Sequence, residues 1–177
     1  MVGDISTLEV DAIVNAANPS LMAGSGVDGA IHKAAGGELQ VACYQFKELS
    51  PGVRCPPGVA RLTPGFKLKA KWVIHTAGPV WKNGEKGEEE TLANCYRNCF
   101  AVARQNAVRS IAFPAISCGV YGFPWALGAQ IAIREARMEL NSSGDKLKVI
   151  FCLFSQEIFK EYKSALGPDF REAPAAE

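Results

Sequence analysis

The sequence predicts an α/β sandwich with a largely parallel central sheet, and two patterns in the chain support this fold class. Short apolar runs rich in β-branched residues, typical of buried strands, recur along the 177 residues. Segments with helical patterning separate these runs, and alternating strands and helices favour a parallel sheet. Because no repeat or linker interrupts the pattern, we expect a single domain over residues 1–167. Residues 168–177 are polar and rich in proline and alanine, and we expect this tail to be disordered.

Short apolar segments predict the strands of the sheet. They lie at residues 11–16, 59–63, 72–76, 110–113 and 147–154. Asn18-Pro19 ends the first strand, and Gly78-Pro79 ends the third. The residue before a proline avoids the helical region, so neither strand continues directly into a helix. We expect residues 59–63 to form an edge strand.

Longer segments with polar and apolar faces predict the helices. They lie at residues 28–35, 39–49, 88–106, 124–140 and 156–166. Gly36-Gly37 closes the first helix, and Ser50-Pro51-Gly52 closes the second. Acidic residues fill the first turn of the helix that begins at Glu88, where the helix dipole favours negative charge.

Composition narrows the classes of function. The formal net charge of +1 provides no field that would attract nucleic acid or a membrane surface. No apolar run is long enough to cross a bilayer, and no secretory leader is visible. The six cysteines are scattered without a C-x-x-C motif, which indicates a reduced, cytoplasmic setting. Cys95 and Cys99 are one helical turn apart, but no histidine lies near them, so we expect no metal site.

One glycine motif raises the question of a dinucleotide site. Residues 24–29 read GSGVDG and match the pattern G-x-G-x-x-G. A Rossmann turn places its first glycine directly after the strand and needs an acid about 20 residues later at the end of a second strand. Here the strand ends well before Gly24, and the acid near that offset, Glu48, falls in a predicted helix. The context therefore argues against NAD(P) chemistry.

The same loop suits a phosphate group. Gly24 and Gly26 let backbone amides approach a ligand, and the helix that follows adds unpaired N–H donors and a positive dipole end. Residues 116–122 have the same character and also lie between a strand and a helix. Two such loops facing each other would clamp a diphosphate. The alternative is that both are plain turns whose glycines serve only geometry.

Several longer motifs carry a family resemblance. They are GDI at 3–5, VNAAN at 14–18, GVDGAIHKAAG at 26–36, VIHTAGP at 73–79 and FPAISCGVYGFP at 113–124. In this order they resemble the macro domain family, and within it the MacroD-type branch, known for binding and hydrolysing ADP-ribose derivatives. The resemblance implies a three-layer α/β/α sandwich around a mixed sheet. Family members usually open with a strand before GDI, whereas only Met1 and Val2 precede it here, so we expect that strand to be absent or shortened.

The resemblance also implies a role for each site residue. Asp4 would accept a hydrogen bond from the adenine amino group, the Ile5 N–H would reach a ring nitrogen, and Phe154 would pack on adenine. The implied diphosphate cradle consists of Gly24, Ser25, Gly26, Val27, Ser117, Cys118, Gly119, Val120 and Tyr121.

The implied catalytic residues are Asn18 and Asp28. Asn18 would hold the distal ribose hydroxyls, while His32 lies near Asp28 and Tyr121 covers the ribose. Ala23 and Ser25 stand where glycine is common in this branch, and Cys118 stands where threonine or serine is usual.

These residues also have structural interpretations. Aspartate before a helix is a common N-cap, so capping alone would explain Asp28. Helix N–H donors would also stabilise the Asp28 carboxylate and make it a poorer base. Asp28 would then orient a water molecule rather than take a proton from it. Asn18 would form an Asx turn before Pro19, and His32 would be a plain helix-surface residue.

Asn15 and His75 receive structural assignments, and a catalytic role of Ser117 is disfavoured. We interpret Asn15 as a brace for the loop and His75 as a structural residue of a buried strand. Ser117 lacks the G-x-S-x-G context of a serine nucleophile, so catalysis by Ser117 with His75 or His32 as base is disfavoured.

The expected activity is hydrolysis of the ester between the distal ribose of ADP-ribose and an acyl group. The acyl group would be acetyl, as in O-acetyl-ADP-ribose, or an Asp or Glu side chain of a mono-ADP-ribosylated protein. We expect no metal or cofactor and a monomeric protein. The alternative is a reader module that binds ADP-ribose without turnover. A third possibility, RNA binding, is disfavoured by the near-zero net charge.

Overall fold

The computed structural model describes residues 1–143 and 147–169, and the predicted tail beyond residue 169 lies outside this range. The strands of the described chain are β1 (Ala12–Ala17), β2 (Ala60–Pro64), β3 (Trp72–Ala77), β4 (Ser110–Phe113) and β5 (Lys148–Phe151). The α-helices are α1 (Gly26–Ala35), α2 (Gly37–Tyr44), α3 (Glu88–Gln105), α4 (Trp125–Ser143) and α5 (Gln156–Leu166). Short 3₁₀ turns cover Ile5–Thr7 and Gly167–Asp169.

The strands form a mixed sheet in the order β2-β3-β1-β4-β5. β1 pairs in parallel with β3 and β4, and β4 pairs in parallel with β5. β2 runs antiparallel to β3 at the edge of the sheet. The predicted mixed, largely parallel sheet and the edge position of residues 59–63 are therefore confirmed.

Side chains on the central strands alternate between two cores, because successive residues of a strand point to opposite faces. Ile13 packs with Ile31 of α1 and Leu39 of α2 on one face. Val14 packs on the other face with a core built from α3, α4 and α5. The same alternation occurs along β4, where Ala112 faces the first core and Phe113 the second. The sheet lies between two helical layers, which confirms the three-layer α/β/α sandwich.

Four elements have boundaries that differ from the prediction by two or more residues: β5 ends at Phe151 rather than at residue 154, α4 ends at Ser143 rather than at residue 140, and α1 and α2 are also shifted. α2 ends at Tyr44, where the N–H groups of Gln45 and Phe46 donate to Ala42 and Cys43 in tighter turns, and the main chain of residues 49–53 then pairs across a turn. The Leu49 N–H donates to the Val53 carbonyl over 2.8 Å, and the Val53 N–H donates to Ser50 over 2.9 Å. α1 begins at Gly26, two residues before the predicted start, with Ser25 in the N-cap position.

The first residues of the chain extend the sheet beside the end of β5. Val2 forms a parallel bridge with Leu153, whose N–H donates to the Met1 carbonyl over 3.0 Å. The Gly3 N–H donates in turn to the Leu153 carbonyl over 3.0 Å. A single bridge thus stands where the family resemblance implied a strand.

Two kinds of feature are absent from residues 1–143 and 147–169, the part of the chain that the structure describes. No helix there is both long and apolar enough to cross a membrane. No group of three or more His, Cys, Asp or Glu side chains there is placed to hold a metal ion.

Candidate functional site

A cleft of about 620 Å³ opens at the carboxyl ends of β1, β4 and β5. Ligands of open α/β sheets bind at this edge, where strand ends and loops meet. The cleft gathers nearly all of the predicted site residues, and only His32 and Cys118 do not line it. The residues that do are Asp4, Ile5, Asn18, Gly24, Ser25, Gly26, Val27, Asp28, Ser117, Gly119, Val120, Tyr121 and Phe154.

One end of the cleft is formed by Asp4 and Phe154. The pairing of Met1–Gly3 with Leu153 brings these two residues together from opposite ends of the chain. The Asp4 Oδ1 accepts hydrogen bonds from the Ser6 N–H over 2.9 Å and the Ser6 hydroxyl over 2.7 Å, which fixes the carboxylate at the start of a 3₁₀ turn. Half of the Phe154 side chain is exposed, so its ring is available for stacking.

The first glycine loop leads into the N-terminus of α1. The first-turn N–H groups of Gly26 and Val27 have no intrahelical acceptor, and both residues line the cleft. Gly26 adopts a φ of 60°, in the left-handed region that favours glycine. The Ala23 N–H donates to the Gln40 side chain over 2.7 Å, so α2 supports the loop from behind. The loop therefore presents main-chain donors and a positive helix end to the cleft.

The second loop, residues 117–122, is closed by its own hydrogen bonds. The Cys118 N–H donates to Ala115 over 3.2 Å, and the Phe123 N–H donates to Ser117 over 3.0 Å. Ser117 has a φ of 65°, a strained conformation for a residue with a side chain. The Trp125 indole N–H donates to the Cys118 carbonyl over 2.9 Å and secures the turn. No local sequence pattern predicts this contact of Trp125.

Cys118 takes no part in the lining of the cleft. Its N–H is committed to Ala115, and its side chain is buried in the core near Gly128. Burial raises the pKa of the Cys118 thiol to about 12. The departure from the usual serine or threonine therefore leaves the surface of the cleft unchanged.

Asn18 and Asp28 meet at Gly24. A Cβ at Gly24 would lie 3.1 Å from the Asp28 Oδ2 and 3.6 Å from the Asn18 Nδ2, so both side chains border the same small space. The Asn18 amide also braces its own loop. Its Nδ2 donates to the Met22 carbonyl over 2.7 Å, and its Oδ1 accepts from the Ser20 hydroxyl over 2.6 Å.

Asp28 is not the N-cap that the capping alternative assumed. It lies in the first turn of α1, and its Oδ2 accepts the Gly24 N–H over 2.5 Å. Its Oδ1 accepts a hydrogen bond from the Asn15 Nδ2 over 2.6 Å. The interpretation of Asn15 as a brace is thus supported, and both Asp28 oxygens have fixed partners.

Two further side chains surround Asp28. The His32 Nε2 lies 3.5 Å from the Asp28 Oδ1, beyond the usual range of an N–H···O hydrogen bond. His32 is buried, so the helix-surface interpretation is wrong. On the cleft side, partial burial and the negative charge of Asp28 raise the pKa of Tyr121. The phenol therefore lies within electrostatic reach of the Asp28 carboxylate.

The fold and the cleft define a class of protein: an α/β sandwich with two amide-presenting loops at the carboxyl edge of its sheet. A family model for the Macro domain matches residues 14–132. The chain belongs to the macro domain family.

Curated relatives share half of their residues with this chain. A macro domain-containing protein of Xanthomonas campestris pv. campestris is 50% identical over 165 residues, which cover 93% of this chain and 92% of the relative. A Klebsiella pneumoniae protein named O-acetyl-ADP-ribose deacetylase is 50% identical over 167 residues, which cover 94% of each chain.

Solved structures match the fold closely. A macrodomain of Oceanobacillus iheyensis with ADP superposes with a TM-score of 0.86 at 42% identity, covering 93% of this chain and 87% of that one. A Trypanosoma brucei macrodomain in complex with ADP-ribose gives a TM-score of 0.84 at 38% identity, covering 93% of this chain and 67% of that one.

Proposed function

We propose that this protein binds ADP-ribose in the cleft and hydrolyses an ester between the distal ribose and an acyl group. The observation that carries the proposal is the meeting of Asn18 and Asp28 at Gly24, beside the N-terminus of α1. An amide and a carboxylate together offer donors and acceptors to a ribose diol. The Klebsiella pneumoniae relative named O-acetyl-ADP-ribose deacetylase supports the same chemistry.

The shape of the cleft suggests how the ligand lies. The adenine ring stacks on Phe154, with its amino group donating to Asp4. The diphosphate lies between the Gly24–Val27 loop and the 117–122 loop, both of which line the cleft. Main-chain N–H groups and a helix end bind such a group without a strong net charge, which agrees with the formal charge of +1. The distal ribose then reaches Asn18 and Asp28, and Tyr121 covers it.

Hydrolysis proceeds by attack of water on the ester carbonyl. The Asp28 carboxylate, held by Asn15 and Gly24, orients the water and the ribose, and the nearby phosphate of the substrate helps to polarise that water. The bond between the acyl carbon and the ribose oxygen breaks, the ribose oxygen takes up the proton that the attacking water loses, and ADP-ribose and a carboxylic acid leave. The acyl group is acetyl in O-acetyl-ADP-ribose, or an Asp or Glu side chain in a mono-ADP-ribosylated protein.

The second candidate is a reader that binds ADP-ribose without turnover. The observation that favours it is the engagement of the Asn18 amide with Met22 and Ser20. An amide used to shape a loop is less free to guide a reacting group. The two candidates share the same cleft and differ only in whether product forms.

The deciding experiment measures hydrolysis of an ester-linked ADP-ribose substrate by the wild type and by Asn18→Ala and Asp28→Ala. Each substitution should lower turnover by at least about 100-fold, since both remove positioning of the reacting groups. The exposed residues Asn141 and Glu89, changed to alanine, serve as matched controls and should retain activity. Equal turnover in all the proteins would remove Asn18 and Asp28 from the mechanism.

A calorimetric titration with ADP-ribose separates the two candidates. Tight binding by the wild type with no product from any ester substrate would establish the reader. An absence of ADP-ribose binding would overturn both candidates.

A further inference from the structure

A buried chain of hydrogen bonds runs from the cleft into the sheet. The Asn15 Nδ2 donates to the Asp28 Oδ1 over 2.6 Å and lies 3.1 Å from the His75 Nδ1. The His75 Nε2 lies 2.9 Å from the Thr63 hydroxyl on β2. Asn15 and His75 are paired residues of β1 and β3 and are fully buried. These hydrogen bonds thus connect Asp28 with β2, the strand at one edge of the sheet.

The chemistry of Asp28 sets the direction of every bond in this chain. An ionised carboxylate only accepts hydrogen bonds, so Asn15 must turn its NH₂ group toward Asp28. The same NH₂ group then faces the His75 Nδ1, which must accept and therefore carries no proton. The proton of His75 lies on Nε2 and is donated to the Thr63 hydroxyl. One carboxylate at the cleft thereby selects one tautomer of a histidine inside the sheet.

We propose that His75 is a positioning residue: as the neutral Nε2–H tautomer it holds the Asn15 amide, and Asn15 holds the Asp28 carboxylate in the cleft. The proposal rests on the proposed function only for its kinetic readout. His75 itself does not line the cleft, so its effect reaches the reaction through Asn15 and Asp28. A hydrogen-bonded partner of this kind fixes the orientation of the group that acts on the substrate.

The surroundings of His75 favour the neutral ring. The His32 ring centroid lies 6.3 Å from that of His75, and the Cys43 sulfur lies 3.9 Å from the His75 Nε2. Burial, and then the proximity of His32, lower the pKa of His75 to about 3. Burial, then the charge of Asp28, raise the pKa of Cys43 to about 12, so this neighbour stays a neutral thiol. A proton on the Nδ1 would face the Asn15 NH₂ group and break the chain.

A pair of substitutions tests each nitrogen of His75 separately. In His75→Asn the amide oxygen takes the place of the Nδ1 and still accepts from Asn15. In His75→Gln the amide reaches the place of the Nε2 and leaves Asn15 without its acceptor. We expect His75→Gln to lower kcat at least about tenfold with KM and ADP-ribose affinity unchanged, and His75→Asn to retain most of the wild-type kcat.

The same two variants expose a purely structural role. Equal losses of kcat in both, or losses that follow the fall in melting temperature, would overturn the proposal. Thr63→Val provides a second check, since it removes the partner of the Nε2 and leaves the Asn15 contact in place. Its kcat should stay near that of the wild type, and a loss as large as that of His75→Gln would contradict the assignment.

Nitrogen NMR of the unliganded wild type tests the tautomer without any turnover. The chain has only two histidines, so ¹⁵N-histidine labelling gives two ring systems, and the His75 variants assign them. We expect His75 to stay neutral with its proton on Nε2 between about pH 5 and about pH 8. A proton on Nδ1, or titration in that window, would overturn the proposal. If the wild type binds ADP-ribose but forms no product, the proposed hydrolysis fails and the NMR result still decides the tautomer.

Discussion

At Gly29, two backbone segments come so close that no side chain fits between them. A Cβ at this position would lie 2.7 Å from the Gly24 carbonyl oxygen, a distance that real Cβ contacts essentially never show. The clashing atom belongs to the main chain, so it cannot move away by a change of rotamer. The Gly24 segment also carries the N–H that Asp28 accepts. The shape of the first loop therefore depends on the absence of a single carbon atom.

Gly29→Ala should displace the first loop from Asp28. We expect the affinity for ADP-ribose, measured by calorimetry, to fall by at least about tenfold, because the loop amides and Asp28 lose their mutual geometry. Gly37→Ala is the matched control, since nothing lies within 4 Å of a Cβ there. Wild-type affinity in Gly29→Ala would show that the loop adjusts without cost.

The role of Asp28 depends on where α1 begins. The sequence places an aspartate near a helix start, and this pattern predicts an N-cap. The helix begins at Gly26, two residues before the predicted start. That shift moves the carboxylate from the cap into the first turn, where it reaches Asn15 and Gly24.

At the scale of elements, the second loop depends on the helix that follows it. Trp125 is the first residue of α4, and its indole N–H fixes the Cys118 carbonyl. The strained φ of Ser117 persists because such contacts hold the turn on both sides.

Trp125→Phe should loosen this loop while the fold persists. Loss of one hydrogen bond is worth about 0.5–1.5 kcal/mol, so we expect ADP-ribose affinity to fall roughly 2- to 12-fold. Trp72→Phe is the control for removing an indole, because Trp72 lies at the amino end of β3, whereas the cleft lies at the carboxyl ends of the strands. Equal affinity losses in the two variants would argue against a specific role for Trp125.

Most strands and helices were predictable because residues next to their ends in the sequence mark where they stop. Apolar runs end at Pro or Gly, as after β3 and β4, and these strands match the prediction to within a residue. The end of α2 was not predictable, because residues 45–49 keep a helical pattern in the sequence although the helix ends at Tyr44 and Leu49 pairs with Val53.

The site shows the same division. The motifs identified which residues line the cleft, but the inward turn of Cys118 and the burial of His32 depend on packing that no local pattern encodes.

For the whole molecule, the buried His75 links stability to pH. Its pKa is lowered from 6.5 to about 3 in the folded protein. Between these values the unfolded chain binds a proton that the folded protein excludes. The contribution of the neutral His75 to the free energy of unfolding is therefore complete above pH 6.5 and is lost as the pH falls toward 3.

Urea unfolding from about pH 7 to about pH 4 measures this linkage. We expect His75 alone to lower the free energy of unfolding by about 1.4 kcal/mol per pH unit below its unfolded-state pKa. His75→Asn cannot titrate there, so its profile should be flatter by that amount. Parallel profiles for the two proteins would contradict the buried neutral imidazole.

All six cysteines are buried, including Cys152, which lines the cleft. Burial raises the pKa of Cys95 and Cys152 to about 11, and the thiolate is the reactive form. We expect a thiol-specific reagent at neutral pH to react slowly with the native protein and rapidly with all six after unfolding. Fast modification of Cys118 or Cys152 in the native protein would contradict this expectation.

The two loops of the cleft belong to opposite outer layers. The first leads into α1, which packs on one face of the sheet, and the second leads into α4, which packs on the other. A ligand that binds both loops acts as a reversible cross-link between the two outer layers. Ligand binding then couples the unfolding of one layer to that of the other, because the binding free energy is lost when either loop is released.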